Sequence, residues 1–258
     1  MALHRFALCA LCALAVTLAP LSTAGAGIDP DTLDAEKILN QFDDLFRGSS
    51  SHGTMTMTVV TKHWSRTMEM EFWSEGTEKT LIRILAPKKE RGTATLKSGN
   101  DLWNYLPKVN RVIKLPSSML SSSWMGSHFN NDDLVKESRM SEDFDFSITG
   151  IDTTDGAELV DVTCHPKEEA VVVWGKVVVV FDVASLLPVR TDYYDEEMAL
   201  VRTMTFADVR EIGGRTLPTR MDLIPTDKPD EVTTVIYDDI VYDIQLPDDI
   251  FTLRNLKR

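Results

Sequence analysis

The sequence predicts a mainly β protein: a strongly curved antiparallel sheet with an N-terminal helix, and short helices, on its concave side. Three observations predict it. From Gly53 onward apolar and polar residues alternate with period two. Turn clusters such as "SEGTEK", "KSGND", "GIDTTDG" and "IGGRT" separate many of these segments, as hairpins require. A single amphipathic helical pattern, "DPDTLDAEKILNQFDDLFRG", stands ahead of them.

Met1 to Arg5 is a short basic start, and Phe6 to Ala19 is apolar apart from Thr17. Pro20 ends the run and Ala24-Gly25-Ala26 supplies small residues. This is the three-part pattern of a signal peptide over residues 1–26, cut near Ala26, and the run is short of the roughly 20 residues of a membrane span. An uncleaved anchor is the lesser alternative. The remainder, residues 27–258, is read as one domain. Losing Arg5 and no acid moves the net charge from −13 to −14, which disfavours nucleic acid and anionic membranes as bulk partners. Of three cysteines, Cys9 and Cys12 fall in the leader. Cys164 is left alone and reads as a small buried hydrophobe.

In the helix, Asp31 is placed to cap the N-terminus, and Leu33, Ile38, Phe42, Leu45 and Phe46 form one apolar face that must lie against something. Gly48 stops it. The strands follow. "MTMTVV" alternates Met55, Met57 and Val59 against threonines, and "RTMEMEFW" alternates Met68, Met70 and Phe72 against Glu69, Glu71 and Trp73. About a dozen such segments exceed what a twisted open sheet holds without curling. One helix cannot cover that much inner surface, so the rest is either filled by side chains or left as a ligand cavity. The four methionines of the first hairpin suit either an ordinary core face or a surface that accepts variable apolar shapes.

"SSWMGSHFNNDDL" has neither period. Gly126 permits unusual backbone angles, and Asn130 reads as the cap of a short helix with Asp132 and Asp133 in its first turn. Trp124, Met125 and Phe129 are thereby delivered to one place, as a core plug or as a lid.

No motif of hydrolytic, metal or phosphate chemistry is present. His52, His63, His128 and His165 are widely spaced. Cys164 and His165 point to opposite faces of a strand, and the acidic clusters "DYYDEEM" and "YDDIVYD" read as solvated hairpin ends. The chain is therefore expected to be no enzyme, with no cofactor and no metal. A hydrolase with a dispersed site stays as the rival that a His, an acid and a nucleophile meeting in a cleft would support.

The block "DLWNYLPKVNRVIKLPSS" followed by "SSWMGSHFNNDDL" resembles the periplasmic outer-membrane lipoprotein-sorting proteins, the LolA-like family. Trp103, Tyr105, Pro107, Arg111 and Val112 match its first motif, and Met125, Gly126, Ser127, Phe129, Asp133 and Leu134 its second. Trp124 stands where the family has Phe, and His128 where it has Asp. The family's cavity arginine has no motif-matched counterpart, although Arg83 and Arg111 lie on strands. The resemblance implies a half-barrel whose cavity binds acyl chains of lipoproteins or lipids and carries them, as a monomer, through the periplasm. An inner-membrane transporter would be the cargo donor. Met55, Met57, Met68, Met70, Phe72, Trp103, Tyr105, Trp124, Met125, Gly126 and Phe129 are the candidate cavity and lid residues. An accessory periplasmic protein with a filled core, serving a transporter complex, is the alternative.

Overall fold

The computed structural model describes residues 33–135, 140–170 and 172–258. The leader and the Asp31 cap lie outside the described residues. Helix α1, Ala35–Leu45, starts instead at Asp34, whose side chain accepts from the Lys37 amide at 3.1 Å. That leaves Glu36 near the positive helix end.

Thirteen strands follow among the described residues, all in one antiparallel sheet. They are β1 Ser50–Val60, β2 Ser65–Glu75, β3 Lys79–Ala86, β4 Ala94–Ser98, β5 Asp101–Leu106 and β6 Arg111–Lys114. After the short helices α2, Asn131–Val135, and α3, Met140–Asp143, come β7 Phe144–Thr154, β8 Ala157–Pro166, β9 Lys176–Asp182 and β10 Pro188–Tyr194. β11 Leu200–Ile212, β12 Arg215–Pro225 and β13 Val232–Tyr242 complete it.

The order is β6-β5-β4-β3-β2-β1-β13-β12-β11-β10-β9-β8-β7. Two meanders of hairpins are thus joined where β1 pairs with β13, with Val60 opposite Val232 and Gly53 opposite Ile240. Glycine is required at 53, because a Cβ there would sit 2.2 Å from the Asp239 carbonyl oxygen. β6 and β7 are the two edges of the sheet. The connection 115–143 therefore has to travel from one edge to the other.

Period-two alternation sets the two faces. On one, Met55, Met57, Val59, Met68, Met70, Phe72, Ile82 and Ile84 form a cluster closed by Trp124. The pairs Met55–Met70 and Met57–Met68 stand directly opposite across β1 and β2. On the other face, Trp73, Leu81, Leu96 and Tyr105 pack against Ile250 and Leu256 of the C-terminal segment. A third cluster gathers the β-branched residues of β8 and β9 under Ile38 and Leu39 of α1. The stripe on α1 thus meets the far half of the sheet. Cys164 lies in this cluster, fully buried, and burial pushes its thiol up to about 12, which keeps it protonated and inert. His165, next in sequence, is exposed on the other face.

Candidate functional site

A cavity of about 310 Å³ opens between α1, the sheet and segment 124–134. That is the lower end of the range for small-molecule sites, about 300–1,000 Å³. A row of aromatic rings runs along it. Phe42 meets Phe206 edge-on at 6.1 Å, Phe206 stacks on Phe46 at 6.3 Å, and Phe46 stacks on Tyr237 at 5.7 Å. Phe72 meets Tyr237 edge-on at 5.6 Å and ends the row. Such rings present wide apolar walls with few rotatable bonds. Ser51 and Ser74 also line the cavity but hydrogen-bond each other at 2.6 Å, so neither hydroxyl is left wanting.

The polar end of the cavity is built on Arg202, at the start of β11. Its Nη2 donates to Asp133 Oδ1 at 2.6 Å, its Nη1 to Asp133 Oδ2 at 2.9 Å and to the His128 carbonyl oxygen at 3.3 Å. The guanidinium lies 4.4 Å from the ring centres of both Trp174 and Tyr193. Burial pulls the Arg202 pKa down, but the charge and hydrogen bonds of Asp133 outweigh it, and the net direction is upward. Burial raises Tyr193 to about 12, against the opposing pull of Arg202. Arg202 is thus permanently charged and clamped, with its Nε left unpartnered among the described residues.

Segment 122–134 is fastened by three of its side chains and, besides them, by the Met125 carbonyl oxygen. Trp124, 4% exposed, donates from Nε1 to Thr95 Oγ1 at 3.2 Å. Met125 and Gly126 both have positive φ, +51° and +70°, and this turn presents the Met125 carbonyl oxygen to Arg66 Nη2. Glycine suits the second position, and the first is a strained place for methionine. His128 makes the second fastening. Its amide donates to Thr233 Oγ1 at 3.0 Å, Nδ1 is 2.8 Å from the same oxygen, and Nε2 is 3.1 Å from Glu231 Oε2. A carboxylate only accepts, so Nε2 carries hydrogen, and in the neutral ring Thr233 donates to Nδ1. The hydrogen bond from His128, with one from the Lys62 amide, holds the Glu231 pKa below the ordinary carboxylate range. Asp133–Arg202 is the third. Asn130 starts α2 as the sequence indicates: its Oδ1 accepts from the Asp133 amide at 2.8 Å while Asp133 Oδ2 accepts from the Asn130 amide at 2.7 Å.

Thr233, His128 and Glu231 imitate a nucleophile–base–acid relay. Thr233 is fully buried and its oxygen already accepts a backbone amide, so no substrate carbonyl reaches it. The trio works as a fastener. Among the described residues no group of three His, Cys, Asp or Glu could hold a metal ion.

Of the residues singled out from sequence, Met55, Phe72, Trp124 and Phe129 line the cavity. Met57, Met68 and Met70 are fully buried beside it, in the cluster that Trp124 closes, and Met125 packs on that cluster. Gly126 serves the turn. Trp103 and Tyr105 must be moved out of the lining: Trp103 pairs with Leu96 and Tyr105 with Ala94, which puts both on the opposite face against the C-terminal segment. Arg83 likewise turns to that segment and donates to the Asn255 carbonyl oxygen at 2.7 Å, and Arg111 is exposed on the edge strand. The arginines that do line the cavity are Arg47 and Arg202, of which Arg202 is on the sheet. A signal for it exists in "LVRTMTFADV", where Arg202, Met204 and Phe206 share one parity and all line the cavity.

This fold, one antiparallel sheet with a helix and a cavity on one face, is similar to that of a solved LolA superfamily protein and its structural neighbours. A DUF1329 family protein from Desulfovibrio piger superposes with a TM-score of 0.77 at 22% identity, over 86% of this chain and 97% of its own. A domain assigned as an outer membrane lipoprotein-sorting protein from Vibrio parahaemolyticus gives 0.73 at 25%, over 87% of this chain and 100% of that one. A LolA superfamily protein from Nitrosomonas europaea gives 0.73 at 24%, over 86% and 99%. A family model described as "Uncharacterized protein" matches residues 76–258, and the chain belongs to that family. Comparison with curated proteins gives no match.

Proposed function

We propose that the chain is a non-catalytic periplasmic carrier that takes acyl chains of lipoproteins or lipids into the cavity beside α1 and moves them between envelope membranes. The observation that carries this reading is the open, aromatic-walled cavity with the clamped Arg202 at one end. Each methylene buried there would contribute about 0.8 kcal/mol. The aromatic row suits a chain lying lengthwise, and the sheet would curl around it as a half-barrel. Segment 122–129 acts as plug when the cavity is empty and as lid when it fills, the same contacts in two states. An inner-membrane transporter is the expected donor.

Lipid extraction from the protein purified out of its own cells, followed by mass spectrometry, tests the proposal together with binding of a fluorescent fatty acid. Co-purified lipid or saturable binding is the expected result. Absence of both would sink the carrier and favour the accessory role.

A further inference from the structure

The turns at one end of the strands divide by charge. In the antiparallel order, turns 61–64, 87–93 and 107–110 lie at the same end as 226–231, 195–199 and 167–175. The first three turns, with Arg111, carry Lys62, Lys88, Lys89, Arg91, Lys108 and Arg111 against one acid, Glu90. Glu90 is engaged by Arg66 at 3.4 Å. All six basic residues are exposed, and none makes an ion pair among the described residues. The other three turns carry eight acids against Lys167 and Lys228. A net charge of −13 hides a rim with one basic flank and one acidic flank.

The basic flank also carries isolated apolar tips: Trp64 is 44% exposed and Val109 60%. Turns 87–93 and 107–110 are neighbours, since Ala94 pairs with Tyr105 and a Cβ on Gly92 would lie 3.8 Å from Pro107. We propose that this basic flank seats the protein on an anionic lipid bilayer. Separate protruding tips among lysines fit a bilayer interface, which receives each side chain where it falls. A protein partner would need a matching pocket for each. Tryptophan favours that interface, and lysine stems reach along it while their ammonium groups meet phosphates. The acidic β10–β11 turn is eight strand spacings from the β5–β6 turn, roughly 38 Å along the sheet. That is several times the ~8 Å screening length at physiological salt. The acidic β12–β13 turn, in contrast, meets the flank at its inner end, where the Lys62 amide donates to Glu231 Oε1 at 3.2 Å, so the attraction is carried by Lys88, Lys89, Arg91, Lys108 and Arg111, farther out along the sheet. The proposal does not depend on what fills the cavity.

The test is sedimentation of the protein, as the cell processes it, with vesicles of phosphatidylcholine alone or mixed equally with phosphatidylglycerol. Binding to the mixed vesicles only, weakened by salt, is the expected result. Each basic residue near such a surface contributes about fivefold in partitioning. Lys88→Glu, Lys89→Glu, Lys108→Glu and Arg111→Glu together should lower it about a hundredfold or more. The same number of reversals at Lys176, Lys228, Arg254 and Lys257 should leave most of it intact. Equal binding to both vesicles, equal loss in both variants, or no binding at all overturns the proposal. So does retention on immobilised polyglutamate without vesicle binding, which would make the flank a site for an acidic protein. The salt and lipid comparisons use the unmutated protein, so they stand even if a variant folds poorly.

Discussion

The two faces of strands β2–β5 begin with the same alternation and are covered by different mixtures of apolar burial and polar ties. On the back, Ile250 and Leu256 drop into an apolar surface, and Asn255 ties its own segment down by donating to the Ile250 carbonyl oxygen at 2.8 Å. On the front, segment 122–134 buries Trp124 in the methionine cluster, with Phe129 and Leu134 against it, and adds several polar fastenings: Trp124 to Thr95, His128 to Glu231 and Asp133 to Arg202. Apolar burial is spread over many small contacts and gives way only as a whole. Polar fastenings are discrete and can be undone singly. Only the front has the cavity beside it. The closed core and the candidate site therefore differ in how many discrete polar ties are added to the apolar cover, more than in the strands beneath.

The largest test of that contrast is Asp133→Ala. It strands the Arg202 charge in a buried site and should cost about 3–5 kcal/mol in urea denaturation. The double change Asp133→Leu with Arg202→Met should recover most of the loss, because an apolar pair replaces the ion pair. A single mutant as stable as the parent would show that the front cover is not attached as described. Next is the back: Leu256→Ala should cost about 2–5 kcal/mol through loss of buried surface and a residual cavity. Fatty-acid binding at the front should be unchanged by it, and altered binding would mean the faces are coupled.

Thr95→Val is smaller. It removes the acceptor of Trp124 Nε1 and the partner of Asn104, at about 1–3 kcal/mol. Faster amide exchange should be confined to residues 122–134, and protection lost across the whole sheet would contradict a local fastening. The smallest effect is in acid. Glu231 titrates below its ordinary value of 4.5 in the folded protein. Its contribution is complete above that ordinary value and disappears as pH falls through the depressed one. The urea midpoint of the parent minus that of Glu231→Gln should therefore be constant at neutral pH and shrink towards zero as pH falls through and below the ordinary carboxylate range. A difference that persists in acid would remove the carboxylate from the fastening.

Much of the framework was legible because parity is a local property. The shared face of the β1 and β2 methionines, the period-two segments and the Asn130 cap follow from spacing, and the burial of Cys164 from its lack of a partner cysteine. What parity cannot supply is which part of a face stays uncovered. Met55 lines the cavity while Met57, one pair along, is fully buried, and the Trp124 that joins both in one cluster comes from a distant part of the chain. Trp103 and Tyr105 belong to a motif shared with the sorting proteins, yet their parity relative to Leu96 and Ala94 settles on the back. That pairing depends on the register of a hairpin, which spacing did not fix. Arg202 escaped because a charged residue in an apolar face reads as an exception until its partner is known, and Asp133 lies 69 residues away.

The connection between β6 and β7 has one more consequence. Because those strands are opposite edges of the sheet, segment 115–143 is anchored at both ends, like a belt. A flap with one hinge could swing clear. A belt has to buckle, lifting its middle while its ends stay put. If the proposed lid opens, the entropy released would be that of a closed loop and not of a free tail, growing only slowly with length. Insertions in this segment should be tolerated, loosening the grip over the cavity without unseating the strands that the belt joins.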